Sequence, residues 1–150
     1  MGMFFVGNEG NRLRYRTGAE RGSIVDVVCS PGLKPGRLGA GTVHHIAWRT
    51  PDDAQQQAWR DALVESGYNV SPIMDRAYFH SIYFREPGGV LFEIATDPPG
   101  FATDEAADHL GEQLKLPRFL EAQRAVIESS LPPLILSASQ MTERAANGRL

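Results

Sequence analysis

The sequence has 150 residues, with 15 Lys and Arg, 18 Asp and Glu, a formal net charge of −3 and one cysteine. This length predicts one compact domain, and the mild negative charge excludes the basic surface of a nucleic-acid-binding protein. A lone cysteine excludes an internal disulfide framework, and no apolar run approaches the roughly 20 residues of a membrane-spanning helix. We therefore expect a protein of the cytoplasm that binds neither nucleic acid nor membrane.

The start of the chain is predicted to form a short antiparallel sheet. β-Branched and aromatic residues dominate three runs, Met3–Val6, Arg12–Arg16 and Ile24–Cys29, and the connectors between them contain the glycines that hairpin turns require. Residues 3–29 are accordingly predicted to be a partial domain of three strands. Residues 30–41 are rich in proline and glycine, which indicates a linker.

One helix is predicted by a strong start signal. Thr50 can cap its N-terminus, Pro51 suits the first helical position, and two acidic residues follow at the positive end of the helix dipole. The pattern runs to about Ser66, where Gly67 can end it. Its inward-facing stripe is predicted at Ala54, Ala58, Ala62 and Leu63.

Strands are predicted on both sides of this helix. One precedes it and three follow it, at Thr42–Trp48, Tyr68–Met74, Tyr78–Arg85 and Val90–Ala95. Residues 42–100 therefore predict a complete unit in the order β-α-β-β-β. Residues 101–150 predict a C-terminal extension with one amphipathic helix over Pro117–Ser130.

An internal repeat relates the two predicted sheets. The strand pair that begins at Leu13 resembles the pair that begins at Ile82, since each is a polar strand followed by an apolar strand with one acid. Asp26 occupies the position that Glu93 occupies in the second copy. The predicted fold is α+β, built of βαβββ modules, with one complete module and the last three strands of a preceding one.

His44, His45 and Glu93 are the candidate metal ligands. Adjacent residues of a strand point to opposite sides of a sheet, so at most one of the two histidines can face a given site. Glu93 lies in an otherwise apolar strand, where an ionised carboxylate needs a paired cation or a metal ion. In a curled sheet, His45 and Glu93 can supply one nitrogen and one oxygen ligand. The alternative is an ordinary strand histidine whose hydrogen bonds are satisfied at a sheet edge.

Tyr83 and Arg76 are candidates for contacts to a substrate. Tyr83 lies on the hairpin partner of the strand that contains Glu93, so its hydroxyl can reach the same cavity or remain in ordinary sheet packing. Arg76 can bind an anionic oxygen in a bidentate manner, or it can pair with Asp75 or Glu86 at the surface.

Three motifs together resemble a known superfamily. They are Gly41–Trp48 (GTVHHIAW), Asp75–Gly89 (DRAYFHSIYFREPGG) and Leu91–Phe101 (LFEIATDPPGF). They resemble the vicinal oxygen chelate superfamily of glyoxalases, bleomycin resistance proteins and extradiol dioxygenases, and within it the C-terminal half of hydroquinone-type ring-cleaving dioxygenases. The resemblance implies paired βαβββ modules whose curled sheets enclose a divalent metal ion.

The resemblance also implies roles for individual residues. Ring-cleaving members hold Fe(II) with two histidines and one glutamate, and His45 and Glu93 match one histidine and the glutamate. His44, Arg76 and Tyr83 match positions that line the pocket for substrate and O2. We accordingly expect Arg76 to bind an anionic substrate oxygen, Tyr83 to donate to the bound oxygen species, and His44 to act as an acid or base.

The length of the chain departs from this resemblance. Related enzymes are about twice as long and carry their second histidine in an N-terminal module, so we expect the third protein ligand from a second copy in a homodimer or from a partner half-chain. The leading interpretation is a ring-cleaving dioxygenase that acts on a small aromatic diol with O2. The alternatives are a dimeric glyoxalase-like isomerase or lyase with Zn, Ni or Mn, and a non-catalytic binding module.

Overall fold

The computed structural model describes residues 2–20, 22–34 and 36–132, and the chain divides into two compact units, Met1–Thr42 and Val43–Leu150. The first unit contains a three-stranded sheet, and the second contains a four-stranded sheet and the longest helix. The mixed α+β class predicted from the sequence is confirmed. In the described part of the chain, no helix combines the length and the apolar character that crossing a membrane requires.

The first unit is an antiparallel sheet of three consecutive strands. These are β1 (Phe4–Glu9), β2 (Arg12–Arg16) and β3 (Ile24–Val28), which pair in the order β1-β2-β3. All three lie where the sequence predicts strands, although β1 extends further toward its turn. Gly10 in that turn has a φ of +57°, a backbone conformation that favours glycine.

The second unit has the element order β-α-β-β-β. The elements are β4 (Ile46–Thr50), α1 (Asp53–Glu65), β5 (Met74–Asp75), β6 (Phe79–Arg85) and β7 (Leu91–Pro99). The strands lie in the order β4-β7-β6-β5, with β4 parallel to β7 and the other neighbours antiparallel. β7 is therefore an inner strand, so a side chain at its centre has neighbours from both β4 and β6.

Helix α1 begins later than the sequence predicts. The cap is Asp52, whose side chain accepts a hydrogen bond from the backbone N of Gln55 at 2.8 Å. Thr50 is not the cap, because it is the last residue of β4 and is buried there. The helix ends near the predicted position, with Ser66 as its C-cap and Gly67 following at a φ of +86°.

The hydrophobic core of the second unit lies between α1 and one face of the sheet. The buried apolar residues are Val70, Ile82, Phe84 and Ile94. The predicted inward stripe of the helix is wrong at its three alanines, which are exposed. The helix instead presents Gln56, Trp59 and Leu63 to the sheet, because orienting Trp59 and Leu63 inward removes far more apolar surface from water than alanines can.

Strands β5 and β7 differ in length from the strands predicted there. The strand predicted at Tyr68–Met74 is wrong, since β5 comprises only Met74 and Asp75. The preceding segment still contacts β6, because the backbone N of Ser71 donates to the carbonyl of Tyr83 at 2.9 Å. β7 continues to Pro99, beyond the predicted end.

The C-terminal extension contains short helical segments. A 3-10 helix spans Phe101–Thr103, and a second, Arg118–Gln123, leads into α2 (Arg124–Ser130). The single helix predicted over Pro117–Ser130 is thus two consecutive segments, because the backbone at their junction has φ −105° and ψ 6°, outside α-helical geometry. The rest of the predicted extension, residues 133–150, lies outside the described residues.

Candidate functional site

His44 and His45 lie immediately before β4. The sequence predicts a strand from Thr42, but the strand starts at Ile46, so the inference that the two rings point to opposite sides is wrong. Their Nδ1 atoms are 2.9 Å apart, and the rings meet edge to face with centroids 5.1 Å apart. Residues outside a strand ladder need not alternate, and two adjacent imidazoles can therefore share a hydrogen bond.

Glu93 is the third residue of β7 and is 4% exposed. Its Oε2 atom is 2.8 Å from His45 Nε2. Parallel pairing of β4 with β7 places Ile46 opposite Phe92, which brings the residue before β4 alongside the carboxylate. The structure thus brings together the two side chains that the sequence marks as metal ligands, although they are distant in the chain.

The second carboxylate oxygen, Glu93 Oε1, accepts two hydrogen bonds from β6. Tyr83 Oη donates to it at 2.7 Å, and the hydroxyl of Ser81 donates to it as well. Tyr83 and Glu93 are register partners in the antiparallel ladder, and Ser81 faces the same side of the sheet as Tyr83. Ser81 is absent from the residues predicted for the site, although its spacing of two from Tyr83 is a signal that places it there.

Arg76 contacts the Tyr83 side chain. Its Nε atom donates to Tyr83 Oη at 3.3 Å, and its guanidinium carbon lies 5.3 Å from the centroid of the Tyr83 ring. The carboxylates predicted as alternative partners bind backbone groups: Asp75 accepts from the N of Ala77 at 2.7 Å, and Glu86 accepts from two N–H groups of its own turn. The Arg76 guanidinium therefore contacts Tyr83, the residue that donates to Glu93.

The five residues predicted for the site form one continuous series of contacts. The order is His44, His45, Glu93, Tyr83 and Arg76. The series combines two imidazoles, a carboxylate, a phenol and a guanidinium, which together can move protons and bind anionic oxygens. The side chain of His45 is 37% exposed whereas that of Glu93 is 5% exposed, so the series is open to small molecules at its histidine end.

The pair of His45 and Glu93 has the spacing of two ligands of one metal ion. Two donor atoms in adjacent positions at about 2.1 Å from an ion are about 3 Å apart, and His45 Nε2 and Glu93 Oε2 are 2.8 Å apart. Within residues 2–20, 22–34 and 36–132, no group of three or more His, Cys, Asp or Glu side chains is arranged to hold a metal ion. In the described residues, His45 and Glu93 are thus a pair of adjacent donor groups without a third.

The first unit contains an acid, Asp26, at the position that Glu93 has in the second unit, but its partners are arginines. Asp26 is the register partner of Arg14, as Glu93 is of Tyr83. Arg14 binds Asp26 through two nitrogen atoms at 2.7 and 2.8 Å, and Arg12 binds it at 3.0 Å. These guanidinium groups hold the pKa of Asp26 well below its usual range. The acid of the first unit is thus neutralised by fixed cations, whereas Glu93 faces uncharged hydroxyls and an imidazole.

A pocket of about 380 Å³ lies beside Tyr83. Its lining residues are Asn69, Ser71, Tyr83, Phe84, Arg85 and Leu91. This volume lies within the range of sites for small molecules. Tyr83 belongs both to this pocket and to the series of contacts around Glu93.

Comparison with known proteins places the chain in a family. The model described as the Glyoxalase/Bleomycin resistance protein/Dioxygenase superfamily matches residues 4–94. The chain belongs to this superfamily. The resemblance stated from the three motifs is thereby confirmed.

The curated relatives that the chain matches are longer proteins. MhqO of Bacillus subtilis (strain 168), provisionally named a ring-cleaving dioxygenase, is 50% identical over 133 residues, which are 89% of this chain and 42% of MhqO. A chlorohydroquinone/hydroquinone 1,2-dioxygenase of Sphingobium indicum is 40% identical over 119 residues, 77% of this chain and 37% of that protein. The crystal structure of a provisionally named dioxygenase from B. subtilis matches with a TM-score of 0.86 and 49% identity, covering 91% of this chain and 44% of that one. The chain spans less than half the length of these proteins.

His80, which has no predicted role, pairs with the first turn of α1. Its Nδ1 atom is 2.7 Å from Asp53 Oδ1. The hydrogen bond to Asp53 raises the pKa of the His80 imidazole above its ordinary value of about 6.5. The folded state therefore holds this proton more tightly than the unfolded state does. The resulting stabilisation is complete below about pH 6.5 and is lost as the pH rises through the raised pKa.

We expect the variant His80→Gln to lose stability in acid more than in base. Its melting temperature should fall by about 1–3 °C at pH 5.5 and by less at pH 9, because the protonated imidazole gains more from Asp53 than the neutral one does. Thermal unfolding followed by circular dichroism at the two pH values measures the difference. A deficit of the same size at both pH values would contradict the assigned charge pair.

Proposed function

We propose that this chain is part of a ring-cleaving dioxygenase that uses O2 and a divalent metal ion, Fe(II) in our assignment, to open hydroquinone-type aromatic diols. The observation that carries the proposal is the environment of Glu93: a buried carboxylate with His45 on one oxygen and Tyr83 on the other. The superfamily and the names of its relatives support the reaction class. A set of two histidines and one carboxylate on Fe(II) leaves positions free for substrate and O2.

His45 Nε2 and Glu93 Oε2 are the atoms that would hold the metal ion. These atoms are 2.8 Å apart, and a divalent cation held by both would bind the deprotonated forms of the two side chains. A bound divalent ion would bring the diol and O2 into adjacent positions and let charge pass between them. In this proposal the remaining protein ligand comes from a second copy or from a partner half-chain.

The other side chains of the series act on the diol and on oxygen. Arg76 carries a permanent positive charge at 3.3 Å from Tyr83 Oη, where it can bind the anionic oxygen of a deprotonated diol. Tyr83 has one hydroxyl hydrogen atom, which Glu93 Oε1 accepts at 2.7 Å, and it can donate this hydrogen to a reacting oxygen by turning away from Glu93. His44 shares a hydrogen bond with the ring of His45 and can accept the proton that the diol loses.

The proposed reaction has a fixed balance of atoms. One carbon–carbon bond of the ring breaks beside a carbon that bears a hydroxyl group, and both atoms of O2 enter the product. The ring supplies the four electrons that O2 accepts, so the product has the composition of the diol plus one O2. The proton that leaves the diol hydroxyl returns to the opened product.

This balance provides the test of the function. The chain is loaded with Fe(II) under anaerobic conditions, hydroquinone is added, and ¹⁸O₂ is admitted. We expect O2 uptake equal to the loss of hydroquinone and a ring-opened product that contains two labelled oxygen atoms. Formation of quinone without incorporated label would contradict the proposal, and so would the absence of O2 uptake by a homodimer of this chain that has bound Fe(II).

Tyr83→Phe should lower the rate of ring cleavage by about 100-fold, well beyond the roughly 10-fold fall in metal affinity expected when a hydroxyl that orients Glu93 is lost. Phenylalanine keeps the ring that lies 6.3 Å from the His45 ring but lacks the hydroxyl that donates to Glu93. O2 uptake and metal content per chain measure the two effects. The matched control is Tyr78→Phe, which removes a hydroxyl that binds Asp104 instead. Equal rates for Tyr83→Phe and wild type would refute the role of the phenol.

A further inference from the structure

Ser81 has a role in the site that goes beyond the five residues predicted for it. We propose that Ser81 is a positioning residue for Glu93: together with Tyr83 it keeps Oε1 occupied, so that Glu93 binds a metal ion through Oε2 alone. This inference rests on the proposed function, because it presumes that Glu93 is a metal ligand. It concerns how the carboxylate is oriented and not whether the ring is cleaved.

The two carboxylate oxygen atoms of Glu93 have different hydrogen-bond partners. Each carboxylate oxygen offers about two lone-pair positions. At Oε1 both are taken, one by Tyr83 Oη and one by the Ser81 hydroxyl. Oε2 has His45 as its partner at 2.8 Å, on the side from which a shared cation would be held. Bidentate coordination would require Oε1 to give up one of its two donors.

The backbone around Ser81 and Glu93 is fixed by a contact from α1. Gln56 Nε2 donates to the carbonyl of His80 at 2.7 Å and to the carbonyl of Ile94 at 2.8 Å. These two carbonyls belong to the residues adjacent to Ser81 and Glu93. Ser81 and Gln56 are both fully buried, so water cannot easily replace the Ser81 hydroxyl if it is removed. A buried hydroxyl on a fixed backbone can hold a carboxylate in one orientation.

The internal repeat allows the uncharged hydroxyl of Ser81 to be compared with the residue at the same position of the first unit. Ser81 corresponds to Arg12 of the first unit, and Arg12 also contacts the acid of its neighbouring strand, Asp26. A guanidinium at this position neutralises the carboxylate and competes with any metal ion. A hydroxyl orients the carboxylate and leaves its negative charge available. At this position, the residue of the first sheet forms an ion pair with its acid, and the residue of the second sheet orients a candidate metal ligand.

The experiment compares Ser81→Ala with wild type by calorimetric titration with Mn(II). We expect the Mn(II) affinity to fall by about 10-fold, the size of effect seen when groups that orient a ligand are removed. The matched control is Thr50→Val. Thr50 is buried in the same sheet, and its hydroxyl has no hydrogen-bond partner in the described part of the chain. Thr50→Val should bind Mn(II) within twofold of wild type.

A vibrational signature separates positioning from a general loss of structure. Infrared spectra of the Mn(II)-loaded protein, labelled with ¹³C at glutamate carboxylates, report the separation between antisymmetric and symmetric stretches. One-oxygen binding gives a wide separation and two-oxygen binding a narrow one. We expect the metal-dependent band to be wide in wild type and in Thr50→Val, and narrow in Ser81→Ala. Unchanged affinity and an unchanged separation in Ser81→Ala would overturn the inference.

A wrong assignment of the metal site would give a different experimental result from a wrong role for Ser81. If wild-type protein takes up no Mn(II), the ligand assignment of His45 and Glu93 fails and with it metal binding through Oε2, and crystal structures of wild type and Ser81→Ala without metal then decide whether Ser81 orients the carboxylate. We expect the Glu93 carboxylate to rotate in Ser81→Ala, so that Oε1 moves away from residue 81 while Tyr83 still donates to it. A carboxylate in the same orientation in both crystals would overturn the positioning role.

Discussion

Glu93→Gln should lower the metal affinity of the chain by more than about 100-fold. Glutamine has the shape of glutamate but carries no charge, and its amide nitrogen cannot bind a cation. Its oxygen can satisfy only one side of the site, either the hydroxyls of Ser81 and Tyr83 or the side of His45. The measurement is Fe(II) or Mn(II) per chain after anaerobic loading and gel filtration, with calorimetry for the affinity.

The first unit supplies the matched control for this prediction. Asp26→Asn changes the acid that the repeat places at the position of Glu93, but Arg12 and Arg14 already neutralise that acid. Asp26→Asn should therefore bind the metal as wild type does. The proposed site would be excluded if Glu93→Gln kept wild-type affinity, or if both variants lost metal equally.

Local signals in the sequence predicted most of the strands and the relation between Tyr83 and Glu93. Strand residues alternate between two faces, and the turn after Arg85 is short, so the register of β6 and β7 follows from the turn. The same reasoning covers Ser81, which lies on the face of Tyr83. Such inferences succeed because each depends on residues that are close in the chain.

Contacts between distant elements could not be predicted in this way. The inward face of α1 depends on which side chains the sheet can accommodate, and it includes the fully buried Gln56 in place of the predicted alanines. The contact between His44 and His45 depends on where β4 begins, which is set by pairing with β7. The periodicity of a sequence predicts neither where a neighbouring sheet lies nor at which residue a strand begins.

Gln56→Leu should destabilise the second unit by about 2–4 kcal/mol. Gln56 is 0% exposed, and its Nε2 atom donates to the carbonyls of His80 and Ile94 at 2.7 and 2.8 Å. These carbonyls lie beside the shift in strand register between Phe79 and Ser81, where the ladder between β6 and β7 is interrupted. Leucine leaves the buried carbonyl of Ile94 and the part-buried carbonyl of His80 without this donor, at a cost of about 1–3 kcal/mol for a fully buried group. Part of the cost is offset, because Gln56 Oε1 is itself buried without a hydrogen-bond partner in the described part of the chain.

Urea unfolding followed by tryptophan fluorescence measures this effect in the second unit, because both tryptophans, Trp48 and Trp59, belong to it. The matched control is Gln57→Leu, in the next position of the same helix, where the side chain is exposed and binds Asp61. It should change the free energy of unfolding by no more than about 0.5 kcal/mol. The carbonyls that Gln56 holds belong to the residues next to Ser81 and Glu93, so a destabilised Gln56→Leu should also bind Mn(II) more weakly. Equal unfolding midpoints for the two variants would show that this buried amide does not hold the strands together.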